Sequence, residues 1–216
     1  MFNHKRRVFA GALAAAATIL VSAAFAPLAS AESEIHFSYS RFSPFEGHAL
    51  KFLDFRAYET HGVVECGQVA MKGEILSLSE TRELDDVVLH PTNCTLAGVM
   101  KATMSEAKTK LILAQEPAVE GYYNGFTGFV KPVTISQEQI GCKITIEPTG
   151  NEHLGNVRFK NTLGTVIEKY EVTNITSHVS ASSNPKACGE EGTHTNGTLT
   201  GETELGIEGG TLLIEG

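Results

Sequence analysis

Gly141-Cys142-Lys143-Ile144-Thr145-Ile146-Glu147-Pro148 is the stretch whose reading decides the fold. Cys142, Ile144 and Ile146 share one parity, and Lys143, Thr145 and Glu147 share the other. That period of two is what a strand with one buried and one wet face requires. Pro148 and the following Thr149-Gly150-Asn151 end the run, because proline brings no N–H to a ladder and this cluster favours turns. A cysteine on the buried side of such a strand is placed to bridge to another strand.

The rest of the chain follows the same habit. Residues 32–216 are rich in Gly, Thr, Val and Ile, contain no Trp, and break about every ten residues at Gly, Pro, Asn or Asp. This is the spacing of an all-β fold, which we read as a disulfide-stapled antiparallel β-sandwich, with a β-barrel as the alternative. Five of the eight Phe residues of this part lie within 37–55, and 49–55 is apolar on both faces for most of its length, suggesting an inner strand. Residues 62–75 read as the next strand and 78–86 as a polar loop. Between 95 and 111, Leu96, Val99, Met100, Met104, Ala107 and Leu111 fit a helical stripe, but the β surroundings favour two short strands. In 120–130 the pair Asn124-Gly125 predicts a type I′ turn with aromatics on both arms. Strands are also expected at 156–160, at 165–179, in the Thr-rich tail from 192 and at 211–215.

Residues 1–31 read as an export leader. Lys5, Arg6 and Arg7 form a positive start, 8–26 is uncharged and Ala-rich, and Ala29-Ser30-Ala31 is an A-x-A cleavage site. An uncleaved anchor is the competing reading, because the apolar run approaches a membrane span. Arg6-Arg7-Val8-Phe9 matches the core of a twin-arginine signal without its flanks. What remains, 32–216, is expected to be a single secreted β-domain without a transmembrane segment. Loss of the leader's three positive charges takes the net charge from −8 to −11. So acidic a chain repels phosphate backbones and anionic lipid, which argues against nucleic acid as a partner.

Cys66, Cys94, Cys142 and Cys188 all lie beyond the leader. An even number in an exported chain reads as disulfides, and no C-x-x-C or C-x-x-H spacing speaks for zinc. Three pairings are possible; the local one, Cys66–Cys94 with Cys142–Cys188, is favoured.

Several short motifs resemble secreted Gly/Thr-rich proteins of unknown function common in actinobacterial genomes. They are His90-Pro91-Thr92-Asn93-Cys94-Thr95, Cys142-Lys143-Ile144-Thr145-Ile146, Val157-Arg158-Phe159-Lys160-Asn161, residues 170–176, and Cys188 leading into Gly197-Thr198-Leu199-Thr200-Gly201-Glu202-Thr203. The resemblance runs from about 62 to 208 and implies secretion and β structure, with no activity attached. Such proteins often carry a further cysteine pair, near Ser105-Glu106 and within or just after 115–125. Both members are absent here, which leaves the favoured pairing intact.

No catalytic motif stands out. There is no G-x-S-x-G, H-E-x-x-H, P-loop or G-x-G-x-x-G. No cofactor and no metal are expected. His61 and His90 could share a metal, but read better as turn and edge residues. Asp85-Asp86, Glu190-Glu191 and Glu202 with Glu204 could supply paired carboxylates for glycosidase work, or a weak calcium site, if the fold assembled them. The candidate binding residues are Tyr122, Tyr123, Phe126 and Phe129. Exposed at a hairpin tip, they would stack on sugar rings or dock on a partner; cross-strand aromatic pairing within the sheet is the plain reading. The expected function is a secreted or envelope-associated non-enzymatic β-domain that binds a cell-surface polysaccharide or protein. An extracellular carbohydrate-active or metal-dependent hydrolase is the alternative.

Overall fold

In a computed structural model of the chain, Cys142–Ile146 is a five-residue strand with Cys142, Ile144 and Ile146 buried. The structure describes residues 34–40, 44–58, 61–74, 81–148, 155–180 and 182–216. The leader at 1–31 lies outside them, as do 78–80 of the expected polar loop and 149–151 after the central strand, while 83–86 of that loop open a strand instead. Ser33–Gly216 makes one compact unit.

The strands, in chain order, are β1 (His36–Tyr39), β2 (Pro44–Tyr58), β3 (His61–Glu74), β4 (Glu83–Leu96), β5 (Met100–Met104), β6 (Ala107–Leu113) and β7 (Tyr123–Phe129). Then come β8 (Val133–Gln137), β9 (Cys142–Ile146), β10 (Gly155–Asn161), β11 (Val166–Val179), β12 (Gly192–Ile207) and β13 (Leu212–Glu215). A single helical turn, α1 (Pro185–Cys188), precedes β12. The fold is all-β, and of the two expected architectures it is the barrel. β12 pairs antiparallel with β2, so the last long strand closes on the first.

Five staves of the barrel, β2, β3, β4, β11 and β12, are continuous and 14 to 16 residues long. The other three are each made of two short strands in line. β6 and β5 share one edge of β4, and β10 and β9 share one edge of β11. β7 and β8 lie between them. The wall therefore closes twice, through β6, β7 and β10 in an upper ring and through β5, β8 and β9 in a lower one. Neighbouring staves are antiparallel throughout, an up-and-down order.

Alternation sends mostly apolar side chains inward and polar or charged ones outward, the reverse of a barrel set in lipid; Glu168 of β11 points inward, and Leu50 and Phe52 of β2 are exposed. Among the described residues, no helix is long and apolar enough to cross a membrane. The lower ring buries Phe55, Val64, Leu96, Ile135, Ile144 and Ile175. Both disulfides belong to it: Cys66–Cys94 joins paired positions of β3 and β4, and Cys142–Cys188 ties β9 to α1. The upper ring buries Phe45, Met71, Leu111 and Phe159, together with Thr109, Thr127, Glu168, Tyr170 and Thr203.

Each end is covered. β1 and β13 pair with each other over the upper end, burying Phe37, Leu212 and Ile214, with Phe37 edge-on to Phe159 at 5.7 Å. The Asn161 amide latches this lid, donating to Ile214 O and accepting from Ile214 N–H, both at 2.8 Å. At the lower end Ala187 and Cys188 are buried, and the Ser182 and Ser183 hydroxyls donate to Ile140 O.

One turn reading changes. Asn124-Gly125 is not a turn but the start of β7, since the Phe159 ring and Ile112 O lie where a Gly125 side chain would stand, at 2.3 and 2.4 Å. Gly125 is there to admit that ring. The chain reverses earlier, where Val119 and Tyr122 exchange backbone hydrogen bonds across Glu120 (φ 53°) and Gly121 (φ 78°). Two positive φ values are what a type I′ turn needs. Asn196-Gly197 likewise lies within β12. Residues 100–113 form the two short strands expected, and the chain turns into them through positive φ at Ala97 and Gly98.

Candidate functional site

Parity along β7 sorts the four candidate aromatics. Phe129 is buried and points into the barrel with Gly125 and Thr127, and Tyr123 packs against the core opposite Phe159. Tyr122 and Phe126 are half-buried on the outer face, with Asn124 between them. The structure therefore brings together two of the four.

Register supplies what the sequence reading missed. Asn124 lies opposite Arg158 of β10, and Phe126 opposite Asn156. The Arg158 guanidinium and the Lys160 ammonium each stand 5.4 Å from the centre of the Tyr122 ring, within cation–π range. Arg158 also faces Lys169 of β11. Glu171 Oε1 accepts from Arg158 at 2.9 Å and from Lys169 at 2.7 Å, and these two cations hold its carboxyl below the usual range. Two rows result: ring, amide, ring running from the turn at Tyr122 into β7, and amide, guanidinium, ammonium on β10. The signal for Arg158 and Lys160 was present in the alternation of 156–160, but nothing local in the sequence places that strand beside β7.

The carboxylates collect on a different part of the wall. An open groove of about 610 Å3 is lined by Tyr39, Glu74, Asp85, Asp86, His90 and Glu106, among others. Most of its acids have a cation at hand. Lys108 reaches Asp86 at 2.5 Å, Lys110 reaches Glu83 at 2.5 Å and Asp85 at 3.3 Å, and His90 reaches Glu106 at 2.8 Å. Donating hydrogen bonds to Glu83 and Asp85 holds the Lys110 ammonium above its usual range. Glu202 contacts Lys51, and Glu204 accepts from the Thr165 hydroxyl at 2.6 Å. Glu190 and Glu191 are exposed. Among the described residues, no group of three His, Cys, Asp or Glu side chains is arranged to hold a metal.

The paired His61 and His90 separate. His90 lies opposite Ala70, nine positions along β3 from His61, or roughly 30 Å of strand. His61 instead stacks on Tyr58, whose other stacking partner is His194 at 3.9 Å.

One acid lies inside the barrel. Glu168 is fully buried; its Oε2 accepts from the Tyr170 hydroxyl at 2.5 Å and from the Thr203 hydroxyl at 2.9 Å, while Oε1 has no partner. Burial pushes its carboxyl up to about 7. The nearby interior cavity, bordered by Leu89, Thr109, Thr127, Phe129 and Tyr170, measures about 10 Å3, room for about one water. This interior is filled with side chains, so the surfaces open to a large partner are on the outside.

Comparison of the chain with family models, curated proteins and solved structures returns no match.

Proposed function

We propose that this is an exported, envelope- or surface-associated barrel that binds a partner through its outer wall and does no chemistry on it. The observation that carries this reading is the two-row face in which Tyr122 and Phe126 lie beside Arg158 and Lys160 on the outside of a filled barrel. Aromatic rings set on a rigid sheet offer contact area with little ordering cost on binding. Export is supported by two disulfides with no free cysteine among the described residues, which fits an oxidising compartment, and by the resemblance to secreted Gly/Thr-rich proteins. The test is retention on cell-wall polysaccharide. Tyr122→Ala and Phe126→Ala are expected to abolish retention while each lowers stability by no more than about 1 kcal/mol. Retention that survives both substitutions rejects the face.

The acidic groove favours the second reading, a hydrolase with carboxylates assembled by β4 and its neighbours. Against it stands the ion pairing of Glu83, Asp85, Asp86 and Glu106, since glycoside hydrolysis needs one of two carboxyls kept protonated. Release of reducing sugar by the wild type, lost in Asp86→Asn, would restore the enzyme.

A further inference from the structure

We propose that the Tyr122–Phe126 face takes an anionic glycan, the two rings lying under sugar rings and Arg158 and Lys160 meeting carboxylates carried by those sugars. The inference rests on the outer-wall reading above and adds the class of ligand.

Geometry comes first. Tyr122, at the turn that enters β7, and Phe126 on β7 are four positions apart, about 13 Å along an extended chain, a span longer than one sugar ring. Asn124 and Asn156 stand between and beside them, amides able to donate to and accept from hydroxyls. A neutral glycan would be served by these rings and amides alone. Arg158 and Lys160 add something a neutral chain does not use.

Charge points the same way. The chain carries a formal net charge of −8, yet this face gathers Arg158, Lys160 and Lys169 around two carboxylates, Glu171 and Glu116, the latter accepting from the Asn124 amide at 3.5 Å. Glu171 is shared between two of the three, which leaves the group net positive. Arg158 uses one arm of its guanidinium on Glu171, and its remaining N–H donors suit a carboxylate in the forked geometry that group prefers. Several other cations have an acid at hand: Lys51 has Glu202, Lys72 has Glu46, and Lys108 has Asp86. Lys160 lies over a tyrosine ring instead. A local positive face on an acidic protein complements an anion, and the surrounding negative charge disfavours polyanions as dense as nucleic acid.

The probes are polygalacturonate and its fully methyl-esterified form, which share a sugar backbone and differ in charge. Binding of each to the purified full-length protein is measured by affinity electrophoresis at low and at physiological salt. Polygalacturonate is expected to bind at least about tenfold more tightly, the worth of one charge-assisted hydrogen bond, with a margin that narrows as salt rises. Arg158→Gln and Lys160→Gln should each bring polygalacturonate down toward the ester, whereas Lys143→Gln, at an exposed position of β9 in the lower ring, should not. Equal binding of the two polymers overturns this inference and leaves the outer-wall reading standing. Binding of neither overturns both, and a margin unaffected by Arg158→Gln and Lys160→Gln removes the face from the account.

Discussion

The two rings of the barrel share five strands and are held in different ways. The lower ring is mostly apolar inside, its buried Ser177 and Gln137 each bonded to backbone, and it carries both disulfides. The upper ring has no covalent tie among its strands; it buries Glu168 with Tyr170 and Thr203, and a two-stranded lid is latched over it by Asn161. One half is stabilised largely through its unfolded state, which the cross-links restrict. The other depends on packing and on polar groups satisfied inside a low-dielectric space. The continuous staves decide whether the halves melt together.

Removing the staples should break the comparison most severely. Cys142–Cys188 closes 46 residues and Cys66–Cys94 closes 28, which loop entropy values at about 4 and about 3.5 kcal/mol. Replacing both members of either pair with Ala should cost that much in denaturant titration. Hydrogen exchange then discriminates: with Cys142 and Cys188 replaced, amides of β8 and β9 should lose protection before those of β6 and β7. Simultaneous loss would make the barrel one cooperative unit.

The buried acid sharpens the contrast next. Glu168 holds its proton more tightly folded than unfolded, near 7 against an ordinary 4.5. Stability from this group is complete below about pH 4.5 and is lost as pH rises through about 7. At about 1.4 kcal/mol per pKa unit, the loss amounts to about 3 kcal/mol. Glu168→Gln should flatten that part of the stability profile and gain on the wild type toward pH 8. Parallel profiles for the two proteins would mean that water reaches the carboxylate.

The latch comes third. Asn161→Ala removes two hydrogen bonds to the backbone of Ile214 and should lower stability by about 1–2 kcal/mol, with faster exchange confined to β1 and β13. The smallest effect, and a favourable one, belongs to the turn. Glu120 sits at φ 53°, a conformation that asparagine tolerates better, so Glu120→Asn should stabilise by a few tenths to about 1 kcal/mol. A loss would show that the Glu120 side chain has a partner worth more than the relief of strain.

Legibility in the sequence tracked distance along the chain. Alternation at 142–146 placed a strand correctly because it is local, and Cys66 with Cys94 could be matched because their strands follow one another. The closure of β12 on β2 was not legible, since sandwich and barrel write the same alternation into each strand. Asn124-Gly125 misled because a ring from β10, a distant strand, occupies the space beside Gly125. Half of the candidate site followed from parity, which separates Tyr122 and Phe126 from Tyr123 and Phe129. Its cations required register. Glu168 could have been found, because it shares parity with Val166, Tyr170 and Val172 and therefore had to point inward.

The lid has a consequence for the order of events. His36 is paired with Glu215, so the first described strand has its partner almost at the end of the sequence. During synthesis Phe37 can bond Thr81 and Ile35 can bond Gln115 earlier, but the paired strand of β1 comes only with β13. Bringing ends so far apart together is a slow, late step. The upper end of the barrel is therefore sealed last, by a segment that was among the first to emerge.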